Sequence, residues 1–468
     1  MKIVYLHFHL KTGGVTTVLK TQVSTVQPHC DTLVLTGDRS STVLPCPIVE
    51  IPEIGYDTRE NPPANPDRVA DSALRAIHSV WPGGCDILHI HNPTLAKNRH
   101  LLAIIKRLQQ SGTNLFLQIH DFAEDGRPGA YFHEDYPENC HYGVINAKDA
   151  RILEAAGLKK AGLHLLPNAV ESILVPERLS VDPQILYPVR AIRRKNVGEA
   201  LLLSLFLRRG QRLAITQPPN SPMDIASYRD WMDWSNMAGL PVDFEIGINA
   251  DFPSLVGSAE SMVTTSITEG FGLAFLEPWT AGKLLWGRRI EGLCVDFEKN
   301  GGRLDTLYDR LNVPLHWIDI NAFSRVWHKT VRDASARFGH AIGVGKAETA
   351  FTRMTRGGQV DFGLLNEKFQ REVLTRLTAD PSARMAMIEQ NPWLAKPGVA
   401  KDPVELIRNN RLAIQQHYNT EQYGRRLLEI YHVVACQPVR HRIDRAVLVD
   451  AFFDLNHFSL LKWGGYEK

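Results

Sequence analysis

From Lys2 to Phe8 nearly every position is apolar, aromatic or β-branched, the turn Lys11-Thr12-Gly13-Gly14 follows, and helical spacing runs from Val15 through Val26. This predicts the strand, turn and helix that open a doubly wound α/β domain. Short apolar runs recur at 85–90, 114–119, 142–145 and 163–166, with amphipathic stretches at 98–111 and 148–157 between them. Strands alternating with helices predict a parallel sheet buried on both faces. Pro167-Asn168-Ala169 and 171–184, with two prolines and little periodicity, predict an extended connector. A second series then starts at Ile185–Arg190, followed by a helix from about Val197 to Arg208 and apolar runs at 212–216, 242–246, 260–265 and 283–286. It predicts a second doubly wound domain. Beyond about residue 300 the pattern is mainly helical, most clearly at 365–377, 404–417 and 421–434, while 291–360 fits no recognisable pattern.

A chain of 468 residues with 44% hydrophobic content has room for two such cores. Its 53 Lys and Arg against 51 Asp and Glu leave a net charge of +2 with no long run of one sign, which argues against a nucleic-acid partner. The start is too short and too polar for a signal peptide, and no stretch reaches the roughly 20 apolar residues of a membrane span. A soluble, cytoplasmic protein is expected; oligomeric state is not legible. The six cysteines are scattered without a C-x-x-C pair, and no metal-ligand spacing gathers the eighteen histidines, so neither disulfides nor a metal are expected.

Four stretches carry candidate chemistry. The first is Thr268-Glu269-Gly270-Phe271-Gly272-Leu273-Ala274-Phe275-Leu276-Glu277. It follows a predicted strand, its glycines permit a tight turn, and a helix is expected from about Leu273, which places Glu269 at a carboxyl strand end beside helix N-terminal amides. Glu277, one turn into that helix, can turn back to the same crevice and accept hydrogen bonds from vicinal hydroxyls. The second is Arg190-Ala191-Ile192-Arg193-Arg194-Lys195-Asn196, whose fork and point charge suit a diphosphate. The third is Thr12-Gly13-Gly14, which lets backbone amides approach a phosphate although it is not G-x-G-x-x-G. The fourth is His120-Asp121 after the 114–119 run. Taken singly, each is equally an ordinary turn with solvated charges.

Together and in this order, the stretches resemble the family-4 retaining glycosyltransferases. Glu269-Gly270-Phe271-Gly272-Leu273 with Glu277 matches the family's E-G-F-G-L-x-x-x-E signature, and Arg190 with Lys195-Asn196 matches its R-x-x-x-x-K-N pair. Gly13-Gly14, His120 and Leu166-Pro167-Asn168-Ala169-Val170 also fit, so the resemblance covers roughly residues 1–290. It implies the GT-B fold: two Rossmann-like domains facing a central cleft, with 1–175 the acceptor domain, 176–439 the donor domain, and a last helix within about 440–468 crossing back to the first. It implies a metal-independent transfer of a hexose, glucose or mannose, from a nucleoside diphosphate sugar such as UDP-glucose or GDP-mannose, with retention by same-face attack. In that scheme no cofactor is used and the sugar nucleotide is the co-substrate. Arg190 and Lys195 would hold the diphosphate, Glu277 the ribose, and the amides of Gly270, Phe271, Gly272 and Leu273, with Gly13 and Gly14, the sugar and phosphates. Glu269 and His120 would contact the transferred sugar. Acceptor loops at 9–16, 56–66, 91–97 and 121–137 nominate Lys11, Asn92, Asp121 and Arg127 for a small polar acceptor. The absence of any D-x-D triplet agrees with metal independence.

Two other readings use the same residues. A sugar-nucleotide epimerase would bind the donor alike and need no acceptor. A membrane-surface enzyme acting on a lipid would use 98–111, with Arg99, His100, Lys106 and Arg107 beside Leu101, Leu102, Ile104, Ile105 and Leu108, as an anchor; a sheet-covering helix is the expectation preferred here.

Overall fold

The computed structural model describes residues 1–39, 42–176 and 184–465, so 177–183, half of the 171–184 connector, lies outside the described residues. The chain forms two compact units, Met1–Ala169 with His417–Phe453, and Val170–Gln416 with Asp454–Lys468.

In the first unit the strands are β1 (Lys2–His7), β2 (Asp31–Thr36), β3 (Ile48–Glu50), β4 (Ile87–His91), β5 (Asn114–Ile119), β6 (His141–Val144) and β7 (Leu163–Leu165). They lie in the order β3-β2-β1-β4-β5-β6-β7, every pairing parallel. Helices α1 (Gly14–Val26), α2 (Pro66–Val80), α3 (Leu101–Gln110) and α4 (Ala147–Ala155) connect them. The starts of α2 and α4 follow from their caps: Asn65 accepts from the Arg68 amide with Pro66 in the first turn, and Asn146 accepts from the Asp149 amide. Helix α3 buries Leu101, Leu102, Ile104, Ile105 and Leu108 in the core. Each such side chain contributes about 1.5–3 kcal/mol when buried, so the apolar face needed for a membrane anchor is already used. No helix among the described residues is long and apolar enough to cross a membrane.

The second unit holds β8 (Gln184–Arg190), β9 (Arg212–Gln217), β10 (Val242–Asp243), β11 (Ser261–Thr264), β12 (Leu285–Arg288) and β13 (Leu307–Tyr308), in the parallel order β10-β9-β8-β11-β12-β13. Pro188 sits inside central strand β8, where the register with β9 shifts between Tyr187 and Arg190; a bulge is where a sheet tolerates proline. Helix α5 (Val197–Ser204) is shorter than its apolar pattern predicted. The unreadable 291–360 contains the edge strand β13, helices Glu291–Lys299, Ile320–Arg337 and Val344–Met354, and β14 (Asn312–Pro314), which pairs antiparallel with β15 (Gln359–Asp361).

Chain crossings differ from the expected boundaries. Helix Thr420–Cys436, assigned above to the second domain, puts Tyr423, Leu427, Ile430, Tyr431 and Val434 into the same core as Leu19, Val23 and Val26 of α1. Within 440–468, only the part through Phe453 belongs to the first unit, where Leu448 and Phe452 join the core on the other sheet face. Phe458 and Trp463 stack 5.5 Å apart in the second unit, with Phe458 edge-on to Trp327. An amphipathic helix states that it has a partner but not which core supplies it, and 440–468 carries two apolar runs with separate destinations.

Candidate active site

In each sheet the strand order reverses at one point, between β1 and β4 in the first and between β8 and β11 in the second. Open parallel sheets bind ligands at the carboxyl ends of the strands at such a point. In the second unit the loops leaving β8 and β11 are bonded together. Thr265 Oγ1 donates to the carbonyls of Lys195 (3.0 Å) and Asn196 (3.1 Å), the Ile267 amide donates to the Arg194 carbonyl (3.0 Å), and the Tyr187 hydroxyl donates to the Lys195 carbonyl. These bonds bring together two sequence motifs 74 residues apart, and Lys195 Nζ forms a largely buried ion pair with Glu269 Oε1. Arg190, at the bulged end of β8, is exposed. Arg193, not singled out in the sequence, turns away from this pair into a bidentate bridge with Glu367 (2.6 and 2.7 Å).

The 265–277 loop also departs from expectation. Leu273–Phe275 is a single 3-10 turn, and the α-helix that follows is only Glu277–Thr280. Pro278 explains this: a proline five residues into a helix begun at Leu273 removes a hydrogen bond and clashes with the preceding turn. The free amides are therefore those of one tight turn. Gly272 makes that turn possible, with φ +84° and a position where a Cβ would stand 2.4 Å from Leu293 Cδ2. Phe271 is buried beside it, while Gly270 and Leu273 are half-buried. The carboxyl group of Glu277, first residue of the short helix, has no hydrogen-bond partner among the described residues, and burial pushes its pKa up.

A buried ionic cluster missed in the sequence braces the site. Arg288, at the end of β12, binds Glu199 of α5 (2.7 Å twice) and Asp361 (2.8 and 2.7 Å), and the Tyr308 hydroxyl donates to Glu199 (2.6 Å). Glu199 also accepts from Asn196 Nδ2 (2.7 Å), and Asn196, next to Lys195, holds the left-handed conformation at φ 54°. The register of Lys195 is thus tied to the sheet edge through charges that no local motif reveals.

In the first unit, Gly13 precedes α1 with no side-chain cap and no acidic residue in the first turn, leaving amides from Gly14 onward for an anion. Lys11 is exposed and pairs with Asp38 (2.8 Å). Asn92 has φ 51°, and its Oδ1 accepts from the amides of His120 (2.8 Å) and Asp121 (3.1 Å), so this nominated acceptor residue holds the β5 exit in place. Asp121 and Arg127 form a 2.7 Å pair. His120 is buried, its Nε2 2.9 Å from His91 Nδ1, and burial lowers its pKa to about 4.

Histidines that no linear spacing gathered meet here. His89 and His91 stack with ring centres 4.5 Å apart, His91 and His120 at 5.2 Å, and His7 lies edge-on to His91 at 5.8 Å. His89 is hydrogen-bonded to Tyr431 (2.8 Å) and Gln118 (2.9 Å). The available signal was alternation, His89/His91 two apart on β4 and His7/His9 two apart at the end of β1, but their meeting depends on β1, β4 and β5 being neighbours. Among the described residues no group of His, Cys, Asp or Glu is placed to hold a metal ion.

No protein-family model matches the chain. It is 25% identical over 366 residues to mannosylglucosyl-3-phosphoglycerate synthase of Petrotoga mobilis, a match covering 69% of this chain and 72% of that protein. The chain has the GT-B fold. Solved structures share its fold: sucrose-phosphate synthase of Thermosynechococcus elongatus has a TM-score of 0.53 at 14% identity, covering 92% of this chain and 98% of that one. Anabaena HepE, solved in complex with UDP-glucose, has 0.53 at 12% identity, covering 92% and 99%. The GT-B architecture accounts for two doubly wound sheets in one chain, each with its own reversal point.

Proposed function

We propose that this chain is a retaining, metal-independent hexosyltransferase that takes glucose or mannose from a nucleoside diphosphate sugar to a small polar acceptor. The observation that carries the reading is the Lys195–Glu269 pair, formed by two distant motifs at the reversal point of the second sheet. A diphosphate arriving there replaces Glu269 as the counter-ion of Lys195 and engages the exposed Arg190. Glu269 is then released to accept from sugar hydroxyls, and the unpartnered carboxylate of Glu277 accepts from the ribose. The amides of Gly270 to Leu273 take the sugar and phosphate. The barrier in such a transfer lies in parting an oxocarbenium-like sugar from a diphosphate, so fixed cations and amides aimed at the leaving group act where charge develops.

In the first unit, His120 serves a sugar hydroxyl and Gly13-Gly14 the phosphates, while Lys11, Asp121 and Arg127 line the acceptor side with Asn92 behind them. The names of the relatives support a sugar-nucleotide donor and a small acceptor: one is a sucrose-phosphate synthase, one was solved with UDP-glucose, and one makes a phosphoglycerate glycoside.

The test is a thermal-shift screen in chelator against UDP-glucose, UDP-galactose, UDP-N-acetylglucosamine, GDP-mannose, ADP-glucose, UDP and GDP. A ligand at a hundred times its Kd adds about 2.7 kcal/mol. At roughly 2–4 °C per kcal/mol for domains of this size, that is a shift of about 5–11 °C. The shift is expected for one base and to vanish in Glu277→Ala; no shift with any nucleotide refutes the donor site. Product formation only with added acceptor, at unchanged anomeric configuration, separates transfer from epimerisation.

A further inference from the structure

We infer that His91 fixes the tautomer of His120, so that His120 presents an Nδ1–H donor on the ring edge turned away from His91. His91 is thereby a positioning residue for the group proposed to meet the sugar, and only what that donor serves rests on the proposed transfer.

The rings share one hydrogen bond, His91 Nδ1 to His120 Nε2 at 2.9 Å, and both are buried. With both imidazoles neutral, a single proton lies between those atoms. If it belongs to His120 Nε2, the proton of His91 sits on its own Nε2, an atom sealed from solvent and without a hydrogen-bond partner. That leaves an orphaned buried N–H, which native interiors avoid more strictly than an unused acceptor lone pair. If the proton belongs to His91 Nδ1, the bond is made and only a bare lone pair remains at His91 Nε2. His120 Nε2 is then the acceptor, and its own proton is on Nδ1.

Among the described residues no acceptor lies within hydrogen-bond reach of His91 Nε2. Its ring neighbours are Tyr5 (6.3 Å, stacked), His7 (5.8 Å, edge-on) and His89 (4.5 Å, stacked). His89 already spends both ring nitrogens on Tyr431 and Gln118. The His120 backbone is held as firmly as its ring, through the Asn92 side chain. An imidazole fixed in this way binds a hydroxyl by its oxygen lone pair and leaves the hydroxyl proton for a second acceptor.

The first experiment needs neither substrate nor activity. Long-range proton–nitrogen correlation on wild-type protein labelled with 15N-histidine, with His120 assigned by its loss in His120→Asn, should show a protonated Nδ1 and a bare Nε2. A protonated Nε2 at His120 overturns the inference whatever the enzyme does. The second is a double-mutant cycle. His91→Leu should lower kcat/KM about tenfold, the worth of one lost hydrogen bond, and His91→Asn, which keeps an amide donor near the Nδ1 position, should recover most of it. In a His120→Ala background, His91→Leu should add no further loss; an equal second loss would show that His91 acts independently of His120 and overturn the positioning role. The expected nitrogen spectrum with no effect of His120→Ala on transfer would uphold the tautomer and refute only the sugar contact.

Discussion

Arg288→Leu is expected to cost the second unit a large part of its stability although the residue touches no proposed ligand. Its guanidinium supplies four hydrogen bonds to two carboxylates, Glu199 and Asp361, which are 0% and 9% exposed at the side chain. Removing the cation leaves two like charges in a dry interior, and breaking a buried pair this way costs about 3–5 kcal/mol. For a unit of this size that amounts to roughly 6–20 °C in Tm. Calorimetry is the suitable assay because the two units can melt separately, and only the transition of the second should move. Glu199 also anchors Asn196, so donor affinity measured well below the melt should fall as well. A companion variant, Arg288→Met with Glu199→Gln and Asp361→Asn, removes every charge while keeping a side-chain oxygen for the Leu311 and Gly363 amides, the Asn196 side-chain amide and the Tyr308 hydroxyl. It should regain most of the lost stability. A loss below about 1 kcal/mol in Arg288→Leu, or a companion no better than the single variant, would refute the assignment of the cost to uncompensated buried charge.

Three further outcomes follow from the same geometry. Lys195→Ala should lower kcat by about 10²–10³ in steady-state assays, as loss of a preorganised oxyanion partner does; an unchanged kcat would remove Lys195 from the leaving-group site. Gly272→Ala forces a side chain into left-handed backbone against Leu293 and should cost roughly 1–3 kcal/mol in urea unfolding, with weaker nucleotide binding; wild-type stability would contradict it. The first unit should lose stability in acid. His7 and His89 are pushed by burial to about 3 and His120 and His164 to about 4, with His91 well below its ordinary 6.5 and His9 and His141 also lowered by burial, so from pH 6.5 down to about 4 the unfolded chain binds more protons at these seven. Glu124 and Asp149, raised by burial to about 7, act oppositely: their stabilising protons are bound as the pH falls through 7 and are absent above it. Seven against two leaves the unfolded side ahead, at roughly 1.4 kcal/mol per pH unit for each net proton; a urea midpoint that is flat or rising from pH 6.5 to 5 would refute this balance.

What could be read from the sequence was what is local. The β8–Arg190–Lys195 and β11–Glu269–Glu277 stretches each announce a strand, a turn and charged residues in order, and the structure places both at one reversal point. Their ion pair could not be read from either stretch, because it depends on β11 lying next to β8. The histidine cluster fails for the same reason: alternation within β1 and β4 is visible, but strand order is a property of the whole sheet. Pro278 was legible as a disturbance, and its effect, a 3-10 turn and a four-residue helix, follows from steric rules that apply to that residue alone. The Arg288 cluster draws on residues 199, 288, 308 and 361 with no repeat or spacing among them.

The route of the chain also sets when each unit can be finished on the ribosome. The core beside α1 lacks Tyr423, Leu427 and Tyr431 until helix Thr420–Cys436 has been made, some 267 residues after the first unit's main segment ends at Ala169. At bacterial-to-eukaryotic elongation rates that wait lasts between roughly ten seconds and a minute. Throughout it, the flank of α1 that Tyr423 and Leu427 will cover stays open, and His89 is without the hydroxyl of Tyr431. The nascent protein therefore has a long interval in which a holding chaperone has something to bind, and in which slowing translation between residues 170 and 420 prolongs exposure instead of helping the first unit to fold.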